Sequence, residues 1–174
     1  MEKAIYLITG VMASGKSTVA ELLASKLGKG VHLHGDVFRR MIVSGREDMS
    51  AEPSEEAIRQ LYLRYHLTAQ AAKTYYDNEF SVVLQDNYYG EELSYMLEQL
   101  KGYTVQLVVL CPTVEVVKER EKSRGKVGYT GFTVEQLYSD FLQKTPKIGY
   151  WLDTSEQSPE QSVDDILLHY RKYE

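Results

Sequence analysis

Several features are scarce in this 174-residue chain, and each scarcity argues against a class of protein. The only cysteine is Cys111, so no internal disulfide can form and nothing indicates an oxidising compartment. The apolar run near the start covers only residues 4–8, which is too short for a signal peptide or a membrane span. We therefore expect a cytoplasmic protein without a membrane partner.

Positive charge is scarce as well. The chain has 20 Lys and Arg residues against 25 Asp and Glu residues, which gives a formal net charge of −5. A nucleic-acid binder usually concentrates basic residues on one face. The densest basic stretch here, residues 118–126, is interrupted by Glu119 and Glu121. This pattern disfavours a nucleic-acid partner, and it is compatible with either a monomer or a homodimer.

The chain contains no internal repeat and no linker rich in Pro, Gly and Ser, so we expect one domain over residues 1–174. Apolar runs of strand length alternate with segments of helical period. The predicted strands cover residues 4–8, 31–34, 80–84, 103–110 and 148–152. The predicted helices cover residues 16–27, 54–76, 91–100, 113–123 and 134–144, with a last helix from 158. This alternation predicts an α/β fold in which helices cover both faces of one parallel sheet.

In such sheets ligands bind beyond the carboxyl ends of the strands, so the residues that follow each strand are the candidates for function. The first strand is followed by the phosphate-loop pattern G-x-x-x-x-G-K-[ST], which leads into a helix. Its backbone N–H groups and the helix dipole would bind phosphate, Lys16 would reach the β- and γ-phosphates, and Ser17 would bind Mg²⁺. The alternative is a Gly-rich turn that only joins a strand to a helix. The predicted nucleotide-binding residues of this segment are Gly10, Val11, Met12, Ala13, Ser14, Gly15, Lys16, Ser17 and Thr18.

The second strand is followed by Asp36, within an acceptor-side region at about residues 36–60. A carboxylate at this place could accept the proton of an attacking hydroxyl and orient that group, and the alternative is a helix N-cap. Arg39 and Arg40 follow one turn later, either to bind an anionic part of the acceptor or to lie on the solvated surface.

The third strand is followed by Asp86, which could hold Mg²⁺ as a Walker B carboxylate or bind the acceptor instead. Tyr88 and Tyr89 come next, and they either line that pocket or pack in the core.

The fourth strand leads to a candidate lid at about residues 118–132. Arg120 and Arg124 lie four residues apart and are followed by glycines at 125, 128 and 131. Mobile arginines that close over ATP would stabilise the charge of the phosphoryl group in transfer. The alternative is a charged helix face with Glu–Lys and Glu–Arg pairs.

Together these residues resemble the P-loop kinase group that includes chloramphenicol phosphotransferase, gluconate kinase-like proteins and 5′-hydroxyl polynucleotide kinases. The resemblance rests on the phosphate loop, Asp36, the step from Val82 to Asp86, the two lid arginines and residues 151–155. It implies a three-layer α/β/α P-loop fold similar to nucleoside monophosphate kinases, with strand order 2-3-1-4-5.

The resemblance also implies ATP and Mg²⁺ as cofactors and roles for particular residues. Asp36 matches the general base of the group, Arg120 and Arg124 match its lid arginines, and Thr154 would lie near the adenine. The Asp36–Arg39 spacing is similar to that of polynucleotide kinases, in which the arginine meets a substrate phosphate. Gln85 departs from the pattern, because relatives often have an acid directly after the third strand; the choice between metal and acceptor for Asp86 therefore stays open.

The expected function is transfer of the γ-phosphoryl group of ATP to a small-molecule hydroxyl on an antibiotic, a sugar or a nucleoside-like compound. Two alternatives remain at this stage. One is a 5′-hydroxyl polynucleotide kinase, and the other is an ATP-binding resistance or switch protein that transfers no phosphate.

Overall fold

The computed structural model describes residues 2–123 and 132–171. Five strands alternate with seven helices in this part of the chain. The strands are β1 (Ile5–Thr9), β2 (Gly30–His34), β3 (Ser81–Gln85), β4 (Val105–Leu110) and β5 (Tyr150–Leu152). The helices are α1 (Lys16–Lys26), α2 (Asp36–Arg40), α3 (Glu55–Asp77), α4 (Glu91–Gln99), α5 (Val114–Ser123), α6 (Val134–Lys144) and α7 (Pro159–Arg171).

The five strands form one parallel sheet in the order β2-β3-β1-β4-β5. This confirms the predicted fold and strand order. All five residues of β1 are buried, because helices cover both faces of the sheet and leave no solvated side for polar residues. β1 is the central strand, so the loop that follows it emerges in the middle of the sheet edge.

Two hydrophobic cores lie on the two faces of the sheet. On one face α1 and α7 contribute Val19, Leu23, Val163 and Ile166. On the other face α3, α4, α5 and α6 contribute a second set of buried side chains, which includes Tyr65, Leu93, Val117 and Phe141. This three-layer arrangement is the P-loop kinase fold.

The strand and helix bounds differ from the predictions in a few places. β5 has three residues, not the five predicted at 148–152, because Gly149 has a φ of 71° and turns the chain into the strand. α2 was not predicted as an element. Gly35 occupies its N-cap position and Asp36 is its first residue, so the N-cap alternative for Asp36 is wrong.

Two predicted helix starts are confirmed at atomic detail. Thr133 and Gln136 form the capping box of α6, in which each side chain bonds the backbone N–H of the other. Ser158 and Gln161 make the same reciprocal pair at the start of α7. None of the helices described in this structure is long and apolar enough to cross a membrane.

The side chain of Gln60, on α3, bonds the segment between α2 and α3. The amide group of Gln60 accepts from the N–H of Glu47 at 2.9 Å and donates to the carbonyl of Gly45 at 2.8 Å. Gln60 is consequently buried, although it is polar and lies on a surface helix. This contact holds residues 45 and 47 against α3.

Candidate active site

The loop from Gly10 to Ser17 has the backbone of a phosphate cradle. Gly10 and Gly15 have φ angles of 148° and 97°, and Ala13 lies between them at 64°. A Cβ atom at Gly10 would come within 2.5 Å of the carbonyl oxygen of Leu110, so only glycine fits at that position. The loop therefore curls tightly at the carboxyl end of β1, directly before α1.

The start of α1 carries no acidic side chain of its own. Gly15 caps the helix without a side-chain hydrogen bond, and α1 has no acidic residue in its first turn. Its first N–H groups and its positive dipole end can therefore act on an anion. Ser17 and Thr18 are exposed at this end.

Lys16 lies folded over the loop and is only 8% exposed. Its Nζ donates to the carbonyl oxygens of Gly10 at 2.8 Å and of Val11 at 2.7 Å. A buried ammonium needs such partners to offset its desolvation. The same Nζ could exchange these neutral carbonyls for phosphate oxygens, which are stronger acceptors for a cation.

Arg120 joins the phosphate loop to the loop after β5. Its guanidinium donates to the carbonyl of Ser14 at 3.1 Å and to the carbonyl of Thr154 at 3.0 Å. Thr154 is buried, and its Oγ1 atom has no hydrogen-bond partner among the described residues. Of the predicted lid at 118–132, residues 118–123 belong to α5, whereas Arg124 lies outside the described residues.

Asp36 is the centre of a charged cluster at the start of α2. Its carboxylate accepts from Nε of Arg39 at 2.5 Å and from Nε of Arg40 at 2.7 Å, while Arg39 also bonds Asp48. Burial alone would raise the pKa of Asp36, but the hydrogen bonds from the two arginines outweigh it and lower that pKa to about 2. Asp36 is therefore an ionised hydrogen-bond acceptor at neutral pH.

Asp86 forms a buried ion pair with a residue that the sequence did not single out. Nε of Arg64, on α3, lies 3.1 Å from Oδ2 of Asp86, and the two side chains are 13% and 8% exposed. Oδ1 of Asp86 accepts from the N–H of Asn87 at 2.8 Å. A Cβ atom at Gly35 would come within 2.3 Å of Oδ2, which places Asp86 directly beside the backbone that carries Asp36.

Gln85 connects the phosphate loop with the start of the segment after β2. Its Nε2 donates to Oγ of Ser17 at 3.2 Å, and its backbone carbonyl accepts from the N–H of Gly35 at 3.3 Å. The structure thus places Gln85, the residue that departs from the family pattern, beside the predicted metal ligand Ser17. Asp86 faces Arg64 instead.

A groove of about 590 Å³ lies on the same face as α3, between the start of α4 and α6. It is lined by Tyr89, which the sequence offered as a pocket residue, and by Gly90, Glu91, Glu92, Ser94, Leu137, Asp140, Lys144 and Pro146. Burial, and then the charges of Glu92 and Asp86, raise the pKa of Tyr89 to about 12. Tyr89 therefore shares the electrostatic surroundings of the Arg64–Asp86 pair, while Tyr88 is fully buried in the core.

The structure gathers the predicted residues into two neighbouring groups. The phosphate loop, Arg120 and Thr154 form one group, and Asp36, Arg39, Arg40 and Asp86 form the other. Sequence reasoning missed Arg64, which belongs to no motif. It noted Gln85 only as a departure, although the place of this residue at the end of β3 was a usable signal.

Comparisons with known proteins agree with this geometry. The profile of one protein family, described as AAA domain, matches residues 5–140. No curated protein matches the chain at a significant level.

Solved structures resemble the whole fold at low identity. A tunicamycin resistance protein from Deinococcus radiodurans has a TM-score of 0.75 at 16% identity, covering 98% of this chain and 96% of the other. A sugar kinase from a Janibacter species has a TM-score of 0.68 at 18% identity, with 98% and 95% covered. Shikimate kinase from Acinetobacter baumannii has a TM-score of 0.67 at 19% identity, with 99% and 94% covered. At these identities the likeness establishes the fold alone.

Proposed function

The chain belongs to the AAA domain family, whose profile spans residues 5–140, and we propose that it transfers the γ-phosphoryl group of ATP to a hydroxyl of a small molecule in the cytoplasm. The observation that carries this proposal is the phosphate loop. Its glycine-dependent curl, the buried Lys16 and the start of α1, where Gly15 offers no capping side chain, support an anion site at the centre of the sheet edge.

ATP would lie across this edge with its phosphates on the loop. The loop N–H groups and Lys16 would bind the β- and γ-phosphates, and Arg120 would lie between the loop and the adenine-side carbonyl of Thr154. Residues 118–132 would act as the lid over the bound nucleotide.

Ser17 would hold the Mg²⁺ that accompanies the nucleotide. The described residues contain no group of three His, Cys, Asp or Glu side chains that could bind a metal by themselves. A single hydroxyl ligand such as Ser17 is compatible with Mg²⁺. This ion commonly keeps several waters and binds through one or two protein groups together with substrate phosphates. The ion would neutralise part of the negative charge that develops on the phosphates.

Asp36 would orient the acceptor hydroxyl and take its proton as the new O–P bond forms and the bond to ADP breaks. Each carboxylate oxygen of Asp36 already accepts from one arginine, but each has a second lone pair for the acceptor. Arg39, Arg40 and Asp86 would bind the rest of the acceptor.

The test is an acceptor screen coupled to ADP release. The panel contains sugars, polyols, nucleosides, antibiotics with free hydroxyls and a 5′-hydroxyl oligonucleotide. We expect release of ADP that depends on at least one small molecule. Turnover with the oligonucleotide alone would favour a polynucleotide kinase, and ATP binding without turnover on any acceptor would favour a switch protein.

A matched pair of variants tests the role of Asp36. Asp36→Asn should lower kcat by about 10²- to 10⁴-fold, the usual contribution of a general base, while the Kd for Mg·ATP changes less than about twofold. Asp48→Asn, which also removes a carboxylate from Arg39, should have a much smaller effect. Equal kcat values for the two variants would remove Asp36 from the base role.

A further inference from the structure

Gln85 is a buried polar residue that points at the predicted metal ligand. It is 1% exposed, and its side-chain amide donates to Oγ of Ser17 at 3.2 Å. Its backbone is fixed by β3 and by the hydrogen bond from Gly35. The amide group is therefore held in place next to the Ser17 hydroxyl.

The two carboxylates of the candidate site, Asp36 and Asp86, are engaged with cations. Asp36 accepts from Arg39 and Arg40, and Asp86 is paired with Arg64 and bonded by the N–H of Asn87. The residue that reaches Ser17 is thus a neutral amide, at the place where an acid would carry a negative charge.

We propose that Gln85 is a positioning residue for the metal–nucleotide complex, acting through Ser17, and that its neutrality makes metal binding depend on the nucleotide. This inference rests on the proposed function. An amide can donate to the Ser17 oxygen through Nε2 or, after rotation, accept the Ser17 proton through Oε1. Gln85 can therefore hydrogen-bond the Ser17 hydroxyl in both states. It donates to the oxygen when no cation is bound, and it accepts the hydroxyl proton when the oxygen binds a cation.

A carboxylate at the same position could only accept. It would also attract a divalent cation and repel the phosphates of a nucleotide that carries no cation. Replacing Gln85 by glutamate should therefore make nucleotide binding depend much more strongly on the metal, although the size and shape of the side chain hardly change.

The experiment measures the Kd of a fluorescent ATP analogue with excess EDTA and with saturating Mg²⁺. The quantity compared is the ratio of the Kd in EDTA to the Kd in Mg²⁺. We expect Gln85→Glu to raise this ratio at least about tenfold over the wild-type chain. Gln143→Glu adds the same charge on the exposed face of α6 and should leave the ratio within about twofold of the wild-type value.

A second pair of variants keeps the proposal testable if Gln85→Glu does not fold. Gln85→Leu should lower the ratio in the wild-type background and have no effect on it in a Ser17→Ala background, because Gln85 acts through Ser17. A folded Gln85→Glu variant with an unchanged ratio, or an equal effect of Gln85→Leu in both backgrounds, would overturn the inference and leave the proposed function intact. Absence of nucleotide binding by the wild-type chain would overturn the proposed function, and the inference with it.

Discussion

At the scale of single residues, Asp36 couples the candidate chemistry to the stability of the fold. Its pKa is lowered from 3.8 to about 2 mainly because the hydrogen bonds from Arg39 and Arg40 outweigh its burial. A carboxylate whose pKa is lower in the folded state stabilises the fold above its unfolded pKa, and this contribution is lost as the pH falls through the folded pKa.

The consequence can be measured with Asp36→Asn. We expect the wild-type chain to be more stable than the variant by on the order of 1 kcal/mol at pH 6, after allowance for solvent screening. This difference should shrink between about pH 4 and pH 2. Urea unfolding of both proteins at pH 6, 4 and 2.5 checks it, and a difference that stays constant over this range would contradict the assignment.

The Arg64–Asp86 pair is the most buried ion pair that the structure shows between the helices and the sheet edge. Removing one partner of such a pair leaves a desolvated charge, whereas removing both leaves only apolar surface. Arg64→Leu alone should therefore destabilise the fold by about 3 kcal/mol. The double variant Arg64→Leu, Asp86→Leu should lose clearly less than the sum of the two single variants, as measured by urea unfolding; additive losses would show that the pair is not coupled.

At the scale of elements, the pattern of apolar residues was sufficient to locate the secondary structure. Short apolar runs indicated the five strands, and apolar residues at helical spacing indicated the six longer helices. The capping box of α6 was predictable because both of its partners lie in one short stretch of sequence. α2 was not predictable, because a helix of five residues is too short to show a repeating pattern of apolar residues. It is fixed by Gly35 and by the pairing of Asp36 with two arginines.

The buried face of α3 also departs from a simple apolar stripe. The apolar Ile58 is 39% exposed, while the polar Gln60 and Thr68 are buried. Gln60 is buried because it bonds the backbone of residues 45 and 47, and Thr68 bonds the carbonyl of Arg64. The spacing of apolar residues along α3 does not reveal that Gln60 bonds residues 45 and 47, so its burial was not predictable from the sequence of the helix.

The fastening of this segment by Gln60 is testable by proteolysis. Gln60→Leu removes both hydrogen bonds to the segment, and we expect trypsin to cleave after Arg46 several-fold faster, because native-state cleavage follows the population of opened segment. Gln70→Leu makes the same change at an exposed position of α3 and should leave the cleavage rate unchanged. Equal rates for the two variants would show that Gln60 does not hold the segment.

At the scale of the whole molecule, the site follows from topology. Parallel strands bring the ends of β1, β2 and β3 to one edge, so the phosphate loop, Asp36 and Asp86 were predictable as neighbours from their places after these strands. Arg64 was not predictable, because it reaches the edge from the middle of α3 and only the packing of that helix on the sheet brings it to Asp86. The departure at Gln85 was visible in the sequence, whereas its contact with Ser17 required the register of β3 beside β1.

The central claim is that the loop from Gly10 to Ser17 binds the phosphates of ATP, and calorimetric titration of Mg·ATP into the wild-type chain and the Lys16→Met variant tests it most directly. The variant keeps an apolar side chain of similar length but loses the charge that bonds the carbonyls of Gly10 and Val11. We predict that the wild-type chain binds Mg·ATP and that the variant binds it at least about tenfold more weakly. No binding by the wild-type chain, or equal binding by both proteins, would contradict the account.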